Sequence, residues 1–418
     1  MPRFAHMSDI HIGAFRQPEL RELVSAAFDR AIDRCIESGV DFVVMSGDVF
    51  DSNIPDLSSV RRATGKIREA RDKGVRFYVV YGSHDYSPNH VSVVDVLESA
   101  GLFTKVERPR QEGGRLELEF VVDETGAKLC GISGKKLSLD RADYESLDRE
   151  KLESEPGFKV FVFHGAIEEL KPPSLAAMDA MPASYLPSGF GYYAGGHVHS
   201  RMTRGLPGRR NIAYPGPLFA TDFRDLEPLS RGEAHGFYIV DFQDEVTRTE
   251  FARTDVCEVL GLEYSAQGKE ALQAKRELME LARAAEVRDK VVLLRVDGEL
   301  AEGTTADVGI PSIRKELASR GPLCVLANVT QLTSRTLAAA SLSPRAPQET
   351  ERECFIRAIA SVKSPEPALT GESGVRLSLE LLKTLKEEKN ESETKADYQS
   401  RTERAGLGVL GLEASGTC

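Results

Sequence analysis

Residues 42–51 read FVVMSGDVFD, and the fold of the whole chain can be worked out from them. Phe42-Val43-Val44-Met45 is an apolar run too short for a helix and is followed by Gly47, so it reads as a buried strand ending in a turn. That turn carries two carboxylates, Asp48 and Asp51. Upstream, Leu20, Leu23, Val24, Ala27, Phe28, Ala31, Ile32 and Cys35 recur at helical spacing, which predicts an amphipathic helix closed near Gly39. Downstream, a helical stretch near 58–73 leads to a second strand, Val75-Arg76-Phe77-Tyr78-Val79-Val80. Residues 3–8 form a short mixed run ending at Asp9. Strand and helix at this cadence predict βαβ units and a largely parallel inner sheet. More strand signals lie near 116–122, 128–132, 158–163 and 192–194. The first domain is expected to close near residue 245, after Gly236-Phe237-Tyr238-Ile239-Val240.

Residues 250–332 read as a separate small α/β unit, with strands at 258–264, 291–296 and 323–329 and helices near 267–285 and 311–319. Pro/Gly/Ser-rich stretches at 341–349 and 364–374 read as linkers around a helix at 350–362. From Val375 to Glu388 an amphipathic helix carries Leu377, Leu379, Leu381, Leu382 and Leu385. Flanked by linkers, it has nothing of its own to bury against and is expected to dock on a partner or on the body of the protein. Residues 386–404 are almost wholly polar and are expected to be disordered or a solvated helix. The apolar, glycine-rich patch from Leu407 to Leu412 has no assigned place.

Composition narrows the class. The chain has 418 residues, 41% hydrophobic and 28% charged, which is globular and sized for two or three domains. No stretch approaches the length of a membrane span, and the N-terminus lacks the apolar core of a signal peptide. Six scattered cysteines without paired spacing read as reduced cytosolic thiols rather than a disulfide frame or a zinc site. A net charge of −11 argues against a surface coated in non-specific DNA-binding charge.

The chemistry lies in short motifs, each set directly after a strand-like run. They are Asp9-Ile10-His11, Gly47-Asp48-Val49-Phe50-Asp51, Gly82-Ser83-His84-Asp85, His164-Gly165 and Gly196-His197-Val198-His199. Five of the chain's eight histidines fall within them. Singly, each has an ordinary reading: Asp9 as a helix cap, Asp48 as a turn residue, His164 as a hydrogen-bonded core histidine. Jointly, loops beyond the carboxyl ends of strands converge on one crevice, where carboxylates and imidazoles need a positive charge among them. Asp and His without thiolate suit Mn²⁺, Fe²⁺ or Zn²⁺ better than Ca²⁺, and the donors suffice for two ions sharing a bridging carboxylate. Two ions roughly 3.5–4 Å apart clamp the attacking and leaving oxygens of a phosphoryl transfer.

The order D-x-H, G-D-x-x-D, G-x-H-D, H, G-H-x-H resembles the calcineurin-like metallophosphoesterases across residues 9–199. Within them the chain is similar to the DNA-end nucleases termed SbcD in bacteria and Mre-eleven in archaea and eukaryotes. Ser8-Asp9-Ile10-His11-Ile12-Gly13, the Tyr214-Pro215-Gly216 turn, the second α/β unit and the leucine-rich helix carry this narrower likeness. The resemblance implies an α/β fold, a four-layer metallophosphoesterase sandwich, with a smaller α/β capping domain and a helical C-terminal tail. Its domains would be residues 1–245 (nuclease), 250–335 (capping, DNA-binding) and 350–418 (linker and partner-docking tail). It implies that Asp9, His11 and His199 hold a first Mn²⁺, with Asp48 bridging, and that His164, His197 and the residue at 83 hold a second. His84, held by Asp85, would protonate the leaving 3′-oxygen while a metal-activated water attacks in line, and Asp51 would orient a ligand from outside.

The family pattern has Asn where this chain has Ser83. A serine hydroxyl is short and neutral, so either a water fills the gap or the second ion is held more loosely, and more metal is needed for activity. Phosphate contacts would come from Arg16, Arg61, Arg62, Arg201, Arg204, Arg209 and Arg210. The resemblance further implies a 3′→5′ exonuclease and single-strand endonuclease in double-strand-break repair and homologous recombination. The expected protein is cytoplasmic and nucleoid-associated, a homodimer through helices near 58–72 and 91–101. Its partners would be DNA ends and an SMC-like ATPase of the SbcC / Rad-fifty type, whose coiled coil receives the helix at 375–388. No nucleotide-binding GxxxxGK[ST] loop is present in the sequence. The rival readings are a metallophosphatase or small-molecule phosphodiesterase, and a weakly catalytic scaffold that bridges DNA ends.

Overall fold

The computed structural model describes residues 1–87, 91–112, 114–135, 139–172, 175, 177–335, 347–361, 366–390, 393 and 395–411. Two compact units emerge: Met1–Ala266 with Leu272–Gly298 and Val308–Leu332, and Gln267–Ala271 with Glu299–Asp307 and Thr333–Cys418.

The first unit opens with β1 (Arg3–Met7), α1 (Pro18–Glu37), β2 (Phe42–Ser46), α2 (Leu57–Asp72), β3 (Arg76–Val80), α3 (Val93–Ser99) and β4 (Thr104–Lys105). The four strands run parallel side by side. After the hairpin β5 (Pro109–Glu112) and β6 (Arg115–Leu118) come β7 (Val121–Val122), β8 (Lys128–Ile132), α4 (Arg141–Ser146), α5 (Arg149–Ser154) and β9 (Lys159–His164). Then follow β10 (Tyr192–Gly196), β11 (Met202–Leu206), β12 (Arg209–Tyr214), α6 (Phe223–Ser230), β13 (Gly236–Phe242) and β14 (Val246–Arg253). The strands form two six-stranded sheets, β14-β13-β1-β2-β3-β4 and β11-β12-β10-β9-β8-β7, with parallel centres. The first sheet continues past residue 245, because β14 pairs antiparallel with β13 along its length.

The two-residue side-chain period of a strand explains the layering. Phe4, Phe42, Val44 and Val80 of the first sheet meet Val160, Val162, Tyr192 and Ala194 of the second in one buried core. Their neighbours Ala5, Met7, Val43, Met45 and Val79 point the other way, into a core with the stripe of α1. Truncating a ring such as Phe42 to Ala would cost about 3–5 kcal/mol. Pro18 and Glu19 start α1, and Asp56 caps α2 by accepting from the Ser58 and Ser59 amides.

Next come β15 (Glu258–Ser265), α7 (Ala271–Ala284), β16 (Lys290–Leu300), α8 (Ile310–Ala318) and β17 (Cys324–Asn328), and the three strands pair in parallel. Val259, Val291 and Leu293 are buried in the same core as α1, so this small sheet shares apolar surface with the first.

In the second unit, α9 (Pro347–Ser361) falls where a helix is expected, α10 (Gly371–Leu385) starts four residues earlier than expected, and α11 (Lys395–Val409) lies in the polar stretch. The leucine-rich helix α10 is not solitary. Gly374 and Val375 are buried, and a Cβ at Gly374 would sit 2.7 Å from the Leu369 backbone and 3.1 Å from Ile359. Glycine thus permits a close approach that its composition had made look like a linker. Lys386 pairs with Glu351 and Arg352 with Glu372, joining α9 to α10. Arg401 reaches Glu387 at 3.0 Å and Glu393 at 2.9 Å, so part of the polar stretch 386–404 is a fastened helix. Residues 341–346 and 362–365, and Leu412, lie outside the described residues. Among the described residues no helix is long and apolar enough to cross a membrane.

Candidate metal centre

Every candidate ligand follows the carboxyl end of a parallel strand. Asp9 and His11 lie beyond β1, Asp48 beyond β2, and Ser83 and His84 beyond β3. His164 ends β9, and His197 and His199 lie beyond β10. The backbone bends sharply to present them. Asp9 (φ 51°), His11 (φ 50°), Asp48 (φ 51°) and His197 (φ 85°) all occupy the left-handed region. Each such residue costs on the order of 1–3 kcal/mol and persists only where the surroundings over-determine it. Here they do. The His11 amide donates to the Asp48 carbonyl at 2.9 Å, and the His197 and His84 amides donate to Oδ1 of Asp9 and of Asp48, each at 2.8 Å.

The donors gather in overlapping groups whose ligand atoms lie within 4.8 Å of one another: Asp9, His11 and His199; His11, Asp48 and His84; Asp9, Asp48 and His164. His164 Nε2 stands 3.2 Å and His11 Nε2 3.6 Å from Asp48 Oδ2, and His199 Nε2 stands 3.8 Å from Asp9 Oδ1. Nε2 of His11 and Nε2 of His164 are nonetheless buried without any hydrogen-bond partner. Buried imidazole nitrogens left unpaired beside a carboxylate are costly unless a cation lies between them. Such spacings also suit donors sharing an ion at roughly 2.0–2.2 Å. The residues therefore fit a divalent metal site, with Asp48 common to two of the groups.

Each ring is aimed from behind. His164 Nδ1 donates to the Ser46 carbonyl at 2.7 Å and His11 Nδ1 to Asp51 Oδ1 at 3.2 Å. His199 Nδ1 faces both oxygens of Asp225, at 2.9 and 3.0 Å. Committing Nδ1 as donor leaves Nε2 for a metal. Asp225 lies outside every motif, and only its place three residues beyond the cap Asp222 marks it in the sequence. One expected contact is replaced. His84 Nδ1 donates to the Asp51 carbonyl at 2.8 Å, while Asp85 accepts from the amides of Val49, Phe50 and Gly82, each at 3.1 Å. Fully buried in the β3 loop, Asp85 ties that loop to the β2 loop and leaves His84 to Asp51.

The charges follow from burial and proximity. Burial opposes protonation of His164, but Asp48 outweighs it and raises the imidazole to about 10. In His199 burial is likewise outweighed, by Asp225 and Asp9, and the ring rises to about 9. Asp48, despite its burial, is held far below the ordinary carboxylate range by His164, then His11 and His84. Burial and the neighbouring His164 push His197 down to about 4, and burial and Asp48 push Asp85 up to about 6.

A cleft of about 500 Å³ opens beside the cluster, lined by Ser83, His84, His164, His197, Lys135 and Arg141 among others. The candidate phosphate-binding arginines divide. Arg62 is tied to Glu22 at 2.7 Å and to Asp29 at 2.9 Å, and Arg209 is held by the Leu186 carbonyl at 2.8 Å. Arg210 pairs with Glu245 at 3.3 Å, Arg201 stacks over Phe251, and Arg204 bonds to the Thr203 carbonyl. Arg16 and Arg61 are exposed.

Two six-stranded sheets thus place a metal-competent cluster of Asp and His at their strand ends. Residues 2–201 match the model of the calcineurin-like phosphoesterases. The chain is also similar to three proteins named DNA double-strand break repair protein Mre11. With that of Archaeoglobus fulgidus it shares 27% identity over 288 residues, covering 65% of this chain and 64% of the relative. With that of Methanococcus maripaludis the identity is 26%, covering 61% and 67%, and with that of Methanopyrus kandleri 28%, covering 57% and 54%. The chain thus spans somewhat under two thirds of the first relative's length.

Proposed function

We propose that this chain is a metal-dependent phosphodiesterase that processes DNA double-strand-break ends. The reading is carried by the two unpaired buried imidazole nitrogens of His11 and His164 around Asp48. Asp9, His11 and His199 would hold one Mn²⁺ and His164 and His197 the other, with Asp48 between them and Ser83 a weak contributor. The ions would supply Lewis-acid polarisation of the scissile phosphodiester. The chain's own groups do the rest. Asp51 orients His11 and His84, the Ser46 carbonyl orients His164, and His84, half-exposed on the cleft, protonates the leaving 3′-oxygen. Lys135 and Arg141 on the cleft wall would meet backbone phosphates, with Arg16 and Arg61 further candidates.

The names of the relatives support DNA double-strand breaks as the substrate; a 3′→5′ exonuclease and single-strand endonuclease acting in the cytoplasm at the nucleoid, with an SMC-like ATPase as partner, extends that reading by family resemblance. α10 would dock on that ATPase through its half-buried leucines, and residues 250–335 would cap the bound DNA. Exposed Ile54, Leu57, Val91 and Val96, on or next to α2 and α3, support a homodimer through those helices.

The test is manganese-dependent digestion of an end-labelled duplex, with and without the ATPase subunit and with His84→Ala as control. Metal-dependent shortening that His84→Ala removes is the expected result. Hydrolysis of an aryl phosphate with duplex ends untouched would make the chain a phosphatase, and DNA binding without cleavage would make it a scaffold.

A further inference from the structure

The candidate ligands are not equally confined. The side chains of His11 and His164 are 3% and 1% exposed, so packing alone limits their rotation, whereas that of His199 is 30% exposed. His199 therefore needs a brace, and the brace is Asp225. Its Oδ1 and Oδ2 lie 3.0 and 2.9 Å from His199 Nδ1. Oδ2 also accepts from the Thr221 amide at 3.0 Å and the Thr221 hydroxyl at 2.7 Å, which stops the carboxylate swinging away. Asp225 stands in the first turn of α6, where the Asp222 side chain accepts from the Arg224 and Asp225 amides. The helix is anchored by Leu226, buried in the core that includes α1, with Phe223 and Leu229 packed against it.

We propose that Asp225 is a positioning residue for the metal centre: it fixes the ring orientation and tautomer of His199 and so sets the affinity for the ion that His199 shares with Asp9 and His11. The inference rests on the metal-centre reading above. Asp225 touches no reacting atom and acts only through His199, directing Nε2 to the side of the ring that faces Asp9. A carboxylate behind a ligating imidazole typically contributes about 10–100-fold to metal affinity.

The test is calorimetric titration of the full chain with Mn²⁺ alone. Asp225→Asn keeps the shape and one acceptor for Thr221 but turns an N–H toward His199 Nδ1, so ring and amide cannot both be satisfied as before. The expected result is a binding event weakened about 10–100-fold, in a metal-free protein that still unfolds in one cooperative transition. Asp225→Glu, which restores a carboxylate, should recover part of the loss. In a His199→Ala background the Asn substitution should have no further effect, since its route to the ion is gone. Wild-type affinity in Asp225→Asn would overturn the proposal, and so would a further loss in the His199→Ala background. A wild-type chain that takes up no Mn²⁺ would remove the metal-centre reading as well, which separates that failure from this one.

Discussion

Around Asp48 there is no room for one more methyl group, whereas along the C-terminal helices there is room to spare. A Cβ at Gly82 would stand 2.1 Å from Asp48 Oδ1 and 2.2 Å from its amide nitrogen, and one at Gly196 would stand 2.0 Å from the Ser46 carbonyl. On α11, a Cβ at Gly408 would meet nothing within 4 Å, and on α10 Leu377, Leu379 and Leu381 are only half-buried while Leu385 is exposed. The first region holds left-handed ligands in place by close packing and buried hydrogen bonds. The second is held by surface ion pairs and a partly covered leucine face. Close packing transmits any change in volume to the site, and surface pairs transmit little.

Alanine at the two kinds of glycine gives the widest contrast. Gly82→Ala should destabilise the chain by about 3 kcal/mol or more and abolish Mn²⁺ uptake, because the Asp48 amide nitrogen and its buried, hydrogen-bonded carboxylate both stand in the way. Gly408→Ala should be neutral or stabilising by up to about 1 kcal/mol, as for an open helical glycine. Denaturant unfolding of both variants measures the difference, and equal effects would erase it.

Next in size is the separation of binding from chemistry. His84→Ala should lower metal-dependent cleavage by about 10²–10⁴-fold, as expected for loss of a general acid, while Mn²⁺ affinity stays within the range of wild type. A parallel fall in affinity would instead make His84 a ligand.

A smaller effect comes from pH. In the metal-free protein His164 and His199 are raised from the ordinary 6.5 to about 10 and about 9. Their paired, protonated forms stabilise the fold fully below the unfolded value, and this contribution is lost as pH rises through 9 and 10. Metal must displace these protons, so Mn²⁺ affinity should rise with pH, by at least about tenfold from pH 7 to 8. Titrations in buffers of different ionisation enthalpy would count the protons, and an affinity flat with pH would show that they are not there.

The smallest effects on the chain itself belong to the helical region. Arg401→Ala should leave the unfolding midpoint nearly unchanged, since the Arg401 guanidinium and Glu387 are screened by solvent. Leu385→Asp should alter stability within about 0.5 kcal/mol yet, if α10 docks as proposed, weaken capture of the proposed SMC-like ATPase in a pull-down. Unchanged capture would take Leu385 out of the docking face.

Much of this contrast is already legible in the chain. Phe42-Val43-Val44-Met45 reads as a strand buried on both faces because no polar residue interrupts it, and β2 faces a core on either side. Asp9, His11, Asp48, His164, His197 and His199 stand out because each closes or follows such a run. Asp225 does not, since it follows no strand and its helical position has no period to betray its target. The family resemblance makes Asp85 the partner of His84, but its oxygens meet three amides from two loops. Gly371 and Gly374 look like linker because glycine disfavours helices, and only the approach of Leu369 and Ile359 gives Gly374 its helical place.

Local patterning was enough to determine strand and helix identity, the parallel centre of the first sheet and the acidic and imidazole groups that gather at the strand ends, because those depend on side-chain period and on the residues placed directly after a strand end. Tertiary structure alone decided which imidazole nitrogen is left free, which carboxylate braces which ring, and that α10 has helical neighbours. These depend on hydrogen bonds and contacts between residues up to 188 positions apart, as between His197 and Asp9, and no local period encodes a distance of that kind.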